Sequence, residues 1–379
     1  MKKIIFKNLL KEIWIFFVVS ILTLTLIIWV VQAVNYLDIV TEDGHSFKIY
    51  FYYSFLSIPK LLSRTFLFVF FLSVFYVVAN YEEKGQLLIY WTHGVSKKEF
   101  INRVVKFSLI FLIIKILISV LVVPYSLDKS RSFIRSSNLD FFPNLIKPKK
   151  FIDTVENLTI FIESKNVDGS YKNIILKDST NLANSQIIIA KSGRIVLENN
   201  QKLLILNDGQ IIQTDAKSET KKNSTSFYFT ETKFDLEKYS TKTTKYPKIQ
   251  ELETFKLIQC TNNLINNKKN KKKFKNFNCN QDFLSNMTQE LLKRIYLPIY
   301  IPLLALIGSL LVLKSKNSYD YSSFKFKIFS IGILYLVISE ISLNFTGTNN
   351  VYNLIFLFFP IISFLLIYQI VKYKLEVNK

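Results

Sequence analysis

Histidine, cysteine and arginine are scarce in this chain of 379 residues, and their scarcity excludes several kinds of site. The histidines are His45 and His93, and the cysteines are Cys260 and Cys279. Two cysteines without a neighbouring histidine cannot fill a tetrahedral metal shell. Arginine supplies six of the 49 basic residues, and basic and aromatic residues do not interleave as on an RNA-binding sheet. The net charge of +21 therefore does not indicate a nucleic-acid partner.

Motifs for catalysis and nucleotide binding are absent from the sequence. It contains no HExxH, no GxSxG and no Walker A loop, and its loops show no paired-carboxylate pattern. We therefore expect no catalytic residue, no metal and no cofactor. If the protein moves a substrate against a gradient, a partner chain must supply the energy.

Long apolar runs are abundant instead, since half of the residues are hydrophobic. Six runs are each about long enough to cross a bilayer as a helix, which predicts a polytopic membrane protein. The first run exceeds the apolar core of a signal peptide, so we expect it to be retained. The runs are Ile13–Val34, Leu61–Asn80, Phe107–Val123, Tyr296–Leu313, Ile328–Leu343 and Leu354–Val371.

The distribution of basic residues predicts the orientation of these spans. The N-terminus, residues 81–106, residues 314–327 and the C-terminus together carry sixteen Lys and Arg, whereas loops 35–60 and 344–353 carry two. Short loops rich in Lys and Arg favour the cytoplasm. We therefore expect an inner-membrane protein with both termini in the cytoplasm and a large periplasmic domain.

The region between the third and fourth spans reads as β-structure. Short β-branched or aromatic stretches recur there, separated by the turn formers Asp168-Gly169, Ser192-Gly193 and Asp208-Gly209. This spacing predicts an antiparallel sandwich, jelly roll or open barrel, serving either as a ligand-handling surface or as a rigid spacer. The predicted strands are Leu158–Glu163, Lys172–Lys177, Gln186–Lys191, Arg194–Glu198, Leu203–Leu206 and Ser226–Thr230.

The two cysteines bracket a Lys- and Asn-rich loop, residues 260–279. In an oxidising periplasm a disulfide between Cys260 and Cys279 is plausible, and closing this loop would stabilise the fold by roughly 3 kcal/mol. Two accounts of the Lys cluster stay open: contact with anionic head groups, and a solvated run of charge.

The stretch YEEKGQLLIYWTHGVSKKEF, residues 81–100, lies between two apolar runs. We predict a short helix over Glu83–Thr92 that places Leu87, Leu88 and Trp91 on one face. Gly94 suits the left-handed residue that ends a helix. Such a helix either docks into a partner and passes its motion to the spans, or rests on lipid.

The flanks of this helix carry two further signals. Ser96-Lys97-Lys98-Glu99 is a capping box that predicts the start of the next helix. The adjacent carboxylates Glu82 and Glu83 are interpreted as lying at a helix start, where they suit the helix dipole.

Ionisable residues within the apolar runs are candidates for function, because a charge at bilayer depth is costly. Lys115 in the third span and Glu340 in the fifth are predicted at similar depth, so a pair between them is geometrically possible. The alternative is a snorkelling Lys and a Glu near the outer surface. Lys60 and Arg64 lie one turn apart at the outer end of the second span, where they either meet lipid phosphates or anchor the helix.

Several stretches together resemble the LptF/LptG family of lipopolysaccharide-export permeases along nearly the full chain. The order is three spans, an outer domain and three spans, and the second span begins with Ile58-Pro59-Lys60. LLIYWTHGVSKKEF (87–100), FIESKNVDGSYKNIILKD (161–178) and LLKRIYLPIYIPLLALIGSLLVL (291–313) are similar to the family's coupling segment, first outer strands and fourth span. The ES…DGS stretch is closer to the LptF branch.

The resemblance implies a fold with six transmembrane helices and a periplasmic all-β jelly-roll-like domain inserted between helices 3 and 4. Residues 1–126 would hold helices 1–3 with a coupling helix at 82–94, residues 127–292 the β-domain, and residues 293–379 helices 4–6. The lipid cavity is expected to involve Lys60, Arg64, Lys115 and Glu340.

The resemblance also implies a function and partners. The chain would be a non-catalytic permease subunit that extracts lipopolysaccharide from the inner membrane and passes it to an LptC/LptA-like periplasmic bridge. An LptG-like permease would complete a heterodimer, and an LptB-like cytoplasmic ATPase would drive it. Gln86 takes the place of the family's coupling-helix glutamate. The expected coupling residues are Glu83, Gln86, Leu87, Leu88, Trp91 and Gly94.

Two alternatives to this function remain. One is an ABC permease of the FtsX or MacB type, although these usually place the large outer domain after the first span rather than the third. The other is a membrane-anchored periplasmic scaffold without a transport role. A scaffold would need neither a capped coupling helix nor charges within its spans.

Overall fold

Six helices of the structure are long and apolar enough to cross a membrane, and each contains one predicted run. They are Lys2–Thr41, Phe47–Glu83, Lys97–Ile134, Leu284–Leu313, Tyr321–Phe345 and Val351–Glu376. The structure is a computed structural model that describes residues 2–41, 46–136, 148–155, 157–166, 168–179, 184–198, 201–215, 223–235, 248–265, 279, 281–347 and 349–377. His45 and residues 266–278 of the Lys-rich loop lie outside these residues.

The chain divides into two compact units. The helical unit comprises Met1–Val31, Leu56–Asp128 and Pro247–Lys379, and the β unit comprises Gln32–Phe55 and Lys129–Tyr246. The described residues between 248 and 292 thus belong with the helices, whereas the resemblance implies a β-domain over residues 127–292. The reason is local, because two amphipathic helices precede the fourth apolar run.

Helices make up nearly all of the helical unit. Pro59 lies in the first turn of α4, where its missing N–H costs nothing and its fixed φ suits the helix. A five-residue π-helical segment, Ile118–Val122, separates α6 from α7. The α-helices in the described residues are α1 Lys2–Asn35, α2 Asp38–Thr41, α3 Phe47–Leu56, α4 Ile58–Glu83, α5 Leu87–Thr92, α6 Lys97–Leu117, α7 Val123–Ser136, α8 Thr254–Ile265, α9 Leu284–Ile295, α10 Tyr300–Ser309, α11 Tyr321–Phe345 and α12 Asn350–Val377.

The core of the helical unit forms around α10, which is buried along its whole length. This helix packs against α4, α6, α11 and α12. On the other side of α4 and α6, the rings of Phe17, Phe66 and Phe111 meet, with Phe17 5.0 Å from Phe66 and 4.9 Å from Phe111 between centroids. Buried aromatic rings in such edge-on contacts hold α1 against α4 and α6.

The β unit contains one six-stranded antiparallel sheet in which each strand pairs with its neighbours in sequence. Alternate side chains face a buried core that includes Ile162, Ile174, Ala190 and Leu206. This meander confirms the predicted antiparallel β-domain. The strands are β1 Phe151–Val155, β2 Leu158–Lys165, β3 Tyr171–Asp178, β4 Asn184–Glu198, β5 Gln201–Asp215 and β6 Asn223–Asp235.

Two of the three predicted turns in this sheet are wrong. Asp168-Gly169 does form the turn between β2 and β3, with Gly169 at a φ of 78°. Ser192-Gly193 lies inside β4, and Asp208-Gly209 lies inside β5. A Cβ at position 209 would lie 2.2 Å from the Ile189 carbonyl oxygen, so close strand packing accounts for this glycine.

The predicted disulfide between Cys260 and Cys279 is present, with their Cα atoms 6.1 Å apart. Cys260 lies on α8 rather than in a loop, and it is buried with Leu252, Leu257 and Met287. The disulfide therefore fastens the far end of the Lys-rich loop to a small apolar cluster beside α9.

Candidate functional site

A cavity within the helical unit brings together charges from four of the membrane-spanning helices. Its ionisable lining consists of five cationic side chains and two carboxylates. We call it the cationic cavity. The residues that line it are Lys60, Ser63, Arg64, Leu67, Lys115, Ser119, Val123, Leu127, Gln250, Glu290, Lys293, Arg294, Leu297 and Glu340.

Three of these cations make no hydrogen bond or ion pair with the part of the chain that the structure describes. Lys60 and Arg64 stand one turn apart on α4, and Lys293 lies on α9. Lys60 and Lys293 are half-buried, so their charges are partly removed from water without a hydrogen bond or ion pair to a described residue.

Lys115 is held deep in the unit, with a side chain only 3% exposed. Its ammonium donates hydrogen bonds to the backbone carbonyl of Ser63 and, at 2.6 Å, to the Ser63 hydroxyl. It also lies 5.9 Å from the centroid of the Phe66 ring, within cation–π range. These contacts keep a positive charge buried between the second and third spans.

Glu340 lines the same cavity but makes no ion pair within the described part of the chain. Lys115 and Glu340 lie 18 and 19 residues from the first residues of α6 and α11. At about 1.5 Å per residue, the two positions lie at nearly equal distances along their helix axes from the first residue of each helix. The structure thus brings the two residues to one cavity, while the Lys115 ammonium is bonded to Ser63 instead.

Arg294 lines the cavity as a structural cation. Its guanidinium bonds the Glu290 carboxylate at 3.0 Å, the Leu252 carbonyl at 2.8 Å and the Thr254 hydroxyl at 2.9 Å. It donates further to the Gln250 carbonyl at 3.0 Å. The planar fork of an arginine can serve several acceptors at once. Arg294 thereby neutralises Glu290 and fixes the chain that leads into α8.

The π-helical segment lies at the wall of the cavity. Widening a helix by one residue per turn frees a carbonyl from its usual partner, and such segments are frequent at functional sites. The Thr254 hydroxyl donates to the carbonyl of Val120 at 2.8 Å. Ser119, in the same segment, lies 3.3 Å from Ser63 between hydroxyl oxygens. The segment is thus held from both sides.

The arrangement is suited to binding an anion. The cavity has a volume of about 60 Å³, several times the roughly 10–15 Å³ that one water molecule needs. Arg294 compensates Glu290, which leaves four cations and Glu340 around the remaining space. Charge-assisted hydrogen bonds from lysine and arginine to phosphate are strong in such partly dry surroundings.

Lys293 and Arg294 were not predicted from the sequence as site residues. The fourth apolar run begins at Tyr296 in the sequence, and both cations precede it. In the structure the fourth span begins at Leu284 and includes both. The signal was available, because Leu292, Lys293 and Arg294 continue the amphipathic pattern of α9.

The second group of candidate residues lies between the second and third spans. We call residues 84–96 the connecting segment. The predicted helix over Glu83–Thr92 is shorter in the structure, since α5 runs from Leu87 to Thr92. Gly94 has a φ of 70°, and Ser96 caps α6 by accepting the Glu99 N–H at 3.1 Å.

The apolar residues of α5 do not share one face. Leu87 is 1% exposed and Leu88 is 64% exposed, so the expectation of a common face for them is wrong. Trp91 is partly buried against Tyr90 and Phe100. Leu88 and Ile89 are thus the exposed apolar side chains of this helix. Gln86, which precedes the helix, is half-buried.

The connecting segment is tied to the start of α1. The Tyr90 hydroxyl donates to the Ile5 carbonyl at 3.0 Å, and the Lys2 ammonium donates to the Gly94 carbonyl at 2.8 Å. Burial raises the pKa of the Tyr90 hydroxyl, which keeps it a donor. The segment therefore does not hang freely between its two spans.

Glu82 and Glu83 lie in the last turn of α4 and not at a helix start. The interpretation by the helix dipole is therefore wrong, since carboxylates at a helix C-terminus are disfavoured. Their positions are explained by contacts with the chain after the fourth span, where Lys316 and Lys325 lie.

Comparisons with known proteins show a family match and a relative of this chain. The family model described as "Lipopolysaccharide export system permease LptF/LptG" matches residues 7–374. A protein of Rickettsia prowazekii (strain Madrid E), named "Uncharacterized protein RP871", is 24% identical over 210 residues. The match covers 55% of this chain and 58% of that protein, so the chain spans less than two thirds of the length of this relative.

Proposed function

The chain belongs to the LptF/LptG family of lipopolysaccharide export permeases, and from this we propose that it extracts lipopolysaccharide from the inner membrane. It acts as the permease subunit of an ABC transporter and passes the lipid to a periplasmic bridge of β-jellyroll domains. A separate cytoplasmic ATPase drives the process. The observation that carries this proposal is the group of three cations, Lys60, Arg64 and Lys293, that surround one cavity and make no hydrogen bond or ion pair with any described residue.

The cationic cavity suits the phosphorylated end of lipopolysaccharide. Phosphate groups are acceptors for the side chains of Lys60, Arg64 and Lys293, and such charge-assisted bonds are about twice as strong as neutral ones. Lys115 contributes a fixed positive charge from the wall. Glu340 opposes this charge and favours release of the anion over permanent binding. An apolar lipid chain would meet the side chains of Leu67, Val123 and Leu127 at the same site.

The connecting segment is the proposed contact for the ATPase. It lies on the cytoplasmic face in the orientation that the Lys-rich loops favour. Leu88 is exposed on α5, and Gly94 sets the angle between α5 and α6. Gln86, Leu87 and Trp91 support this surface from inside, so an LptB-like ATPase would press chiefly on the exposed side of α5. Glu83 is exposed on the last turn of α4, before this segment, and pairs with Lys325 instead.

The partners follow from the family and from the surfaces that are left open. Only 22% of the residues in the most apolar stretch of the first, fifth and sixth spans are buried, as expected where lipid or a second, LptG-like permease covers them. The LptF-like branch is supported by the ES…DGS stretch at residues 163–170. The six-stranded sheet would close toward a jelly roll and hand the lipid to an LptC/LptA-like bridge.

Charge reversal at the cavity tests the proposal. The chain is co-expressed with its ATPase and partner permease, and lipopolysaccharide is captured by crosslinking. We expect Lys60→Glu with Arg64→Glu to reduce capture about tenfold or more, since one charge-assisted contact from the half-buried Lys60 is by itself worth about 1.5–3 kcal/mol. Lys60→Arg should be mild because the charge persists. Lys48→Glu is the matched control, since Lys48 is exposed on the same span and does not line the cavity.

Two outcomes would contradict the proposal. Unchanged capture in the double variant would show that Lys60 and Arg64 are only interfacial anchors. Failure of any ATPase to co-purify with the wild-type chain would favour a periplasmic scaffold without transport. ATP hydrolysis by the solitary purified chain would equally contradict the assignment of energy supply to a partner.

A further inference from the structure

Glu82 is a buried carboxylate at the end of the second span, and it is only 8% exposed. One of its oxygens accepts the backbone N–H of Lys316 at 2.7 Å, across 234 residues of sequence. A hydrogen bond to an ionised acceptor is strong, and a buried carboxylate without a donor is costly. This bond therefore fixes the end of α4 to the connection between the fourth and fifth spans.

Glu83 and two lysines extend the same attachment. The Lys316 ammonium donates to the Glu83 backbone carbonyl at 3.1 Å, and the Glu83 carboxylate pairs with Lys325 at the start of α11. We call Glu82, Glu83, Lys316 and Lys325 the carboxyl latch. It joins the last turn of α4 to both sides of the connection Lys314–Asp320.

The latch lies against the first turn of the connecting segment. A Cβ at Gly85 would lie 3.6 Å from the Lys316 ammonium, so this lysine packs on the turn that precedes α5. At the other end of the segment, the Lys97 ammonium donates to the Leu313 carbonyl at 3.1 Å. The residues that flank the segment are thus bonded to the end of the fourth span, at Leu313, and to the chain that follows it, at Lys316.

We propose that the carboxyl latch carries movement of the connecting segment into the fourth and fifth spans. The inference rests on the proposed function and deepens it, because it names the contacts through which ATPase-driven movement passes from the connecting segment to the spans. Movement of α5 reaches α4 and α6 through the backbone. It also reaches α10 and α11 through the contacts of Glu82 and Glu83. Lys293 and Arg294 lie on α9, which leads into α10, and Glu340 lies on α11. The movement therefore shifts the wall of the cationic cavity that these residues form against the opposite wall. Glu82 and Glu83 are positioning residues in this account, not lipid ligands.

A charge swap tests the Glu83–Lys325 pair in the full transporter. Glu83→Lys and Lys325→Glu are compared with the double variant, and lipid released per ATP hydrolysed is measured. We expect each single variant to lower this ratio about fivefold, near the lower end of couplings between distinct sites, and the swap to restore most of it. ATP hydrolysis itself should change little. Glu376→Lys is the matched control, since Glu376 pairs with Lys98 on exposed surface at 3.7 Å.

Conservative variants test Glu82. Glu82→Gln retains an oxygen that can accept the Lys316 N–H, whereas Glu82→Ala removes the acceptor. We expect Glu82→Ala to lower lipid released per ATP while Glu82→Gln recovers most of it. A residue with only a stabilising role would change the yield of complex in both variants and leave the ratio unaltered.

The results that would overturn the inference are distinct from those that affect the proposed function. Normal ratios in both Glu83→Lys and Glu82→Ala, or a swap without recovery, would overturn the latch while wild-type transport persists. A wild-type complex that hydrolyses ATP without releasing lipid would overturn the proposed function and the latch with it.

Discussion

Lys115 on α6 and Ser63 on α4 form a buried contact in which the ammonium lies 2.6 Å from the serine hydroxyl and also bonds the serine carbonyl. An ammonium has three N–H donors, and these two bonds use two of them. One donor remains at the wall of the cationic cavity. The pair thus fixes the position of the Lys115 nitrogen inside the spans and leaves one of its donors able to bind an anion.

Replacing Lys115 by methionine should separate binding from stability. Lys115→Met removes a buried charge and keeps the approximate length of the side chain, so we expect stability to change by less than about 1.5 kcal/mol. Lipid capture should fall severalfold because the fixed charge is lost. Thermal unfolding in detergent and crosslinking measure the two effects. Lys106→Met is the control, since Lys106 is exposed on the same helix; capture unchanged in Lys115→Met would contradict a role for this lysine in binding.

Arg294 should behave in the opposite way. Arg294→Lys retains the charge but cannot reach Glu290, Leu252, Thr254 and Gln250 together. We expect it to lower the free energy of unfolding by about 3 kcal/mol, the value of two hydrogen bonds to a charged group. Thermal unfolding in detergent measures this loss.

Arg64→Lys serves as the control for Arg294→Lys, because Arg64 is exposed and makes no bond within the described residues. Its effect on stability should stay within about 0.5 kcal/mol. Equal stability of Arg294→Lys and the wild type would show that the bonds around Arg294 are replaceable by water.

The disulfide predicts a measurable redox state. Peptides that contain Cys260 and Cys279 should remain linked when free thiols are alkylated before reduction, and mass spectrometry detects this. Replacing both cysteines by serine should lower the free energy of unfolding by roughly 3 kcal/mol, as for other loops of this length. Alkylation of both cysteines without prior reduction would refute the link.

The sequence was sufficient for the spans because length and hydropathy alone decide which helices can cross a bilayer. All six runs lie within helices of the structure. The strands were also found, since β-branched alternation is a local signal. Merging of Gln186–Lys191 with Arg194–Glu198 was missed, because Gly193 is needed for close packing on Ile174 and Ile205, which sequence alone does not show.

The site could be predicted only in part. Lys60, Arg64, Lys115 and Glu340 were identified because each is ionisable within an apolar run or directly at its end, and the structure places all four around one cavity. The hydrogen-bond partners of the buried ionisable side chains are remote in sequence. Ser63 lies 52 residues from Lys115, and similarly Lys316 lies 234 residues from Glu82, so neither contact has a sequence pattern.

The most direct measurement places a photoreactive phenylalanine analogue at Leu127, which lines the cationic cavity, and separately at Leu121 on the same span, which is 60% exposed and does not line it. The complete transporter is illuminated in inner membranes before ATP is added. The account predicts that lipopolysaccharide crosslinks at position 127 and much less at position 121. It also predicts that Lys60→Glu with Arg64→Glu abolishes the signal at 127 without affecting 121. Equal labelling at both positions, insensitive to the charge reversal, would contradict the central claim that the cationic cavity holds the lipid.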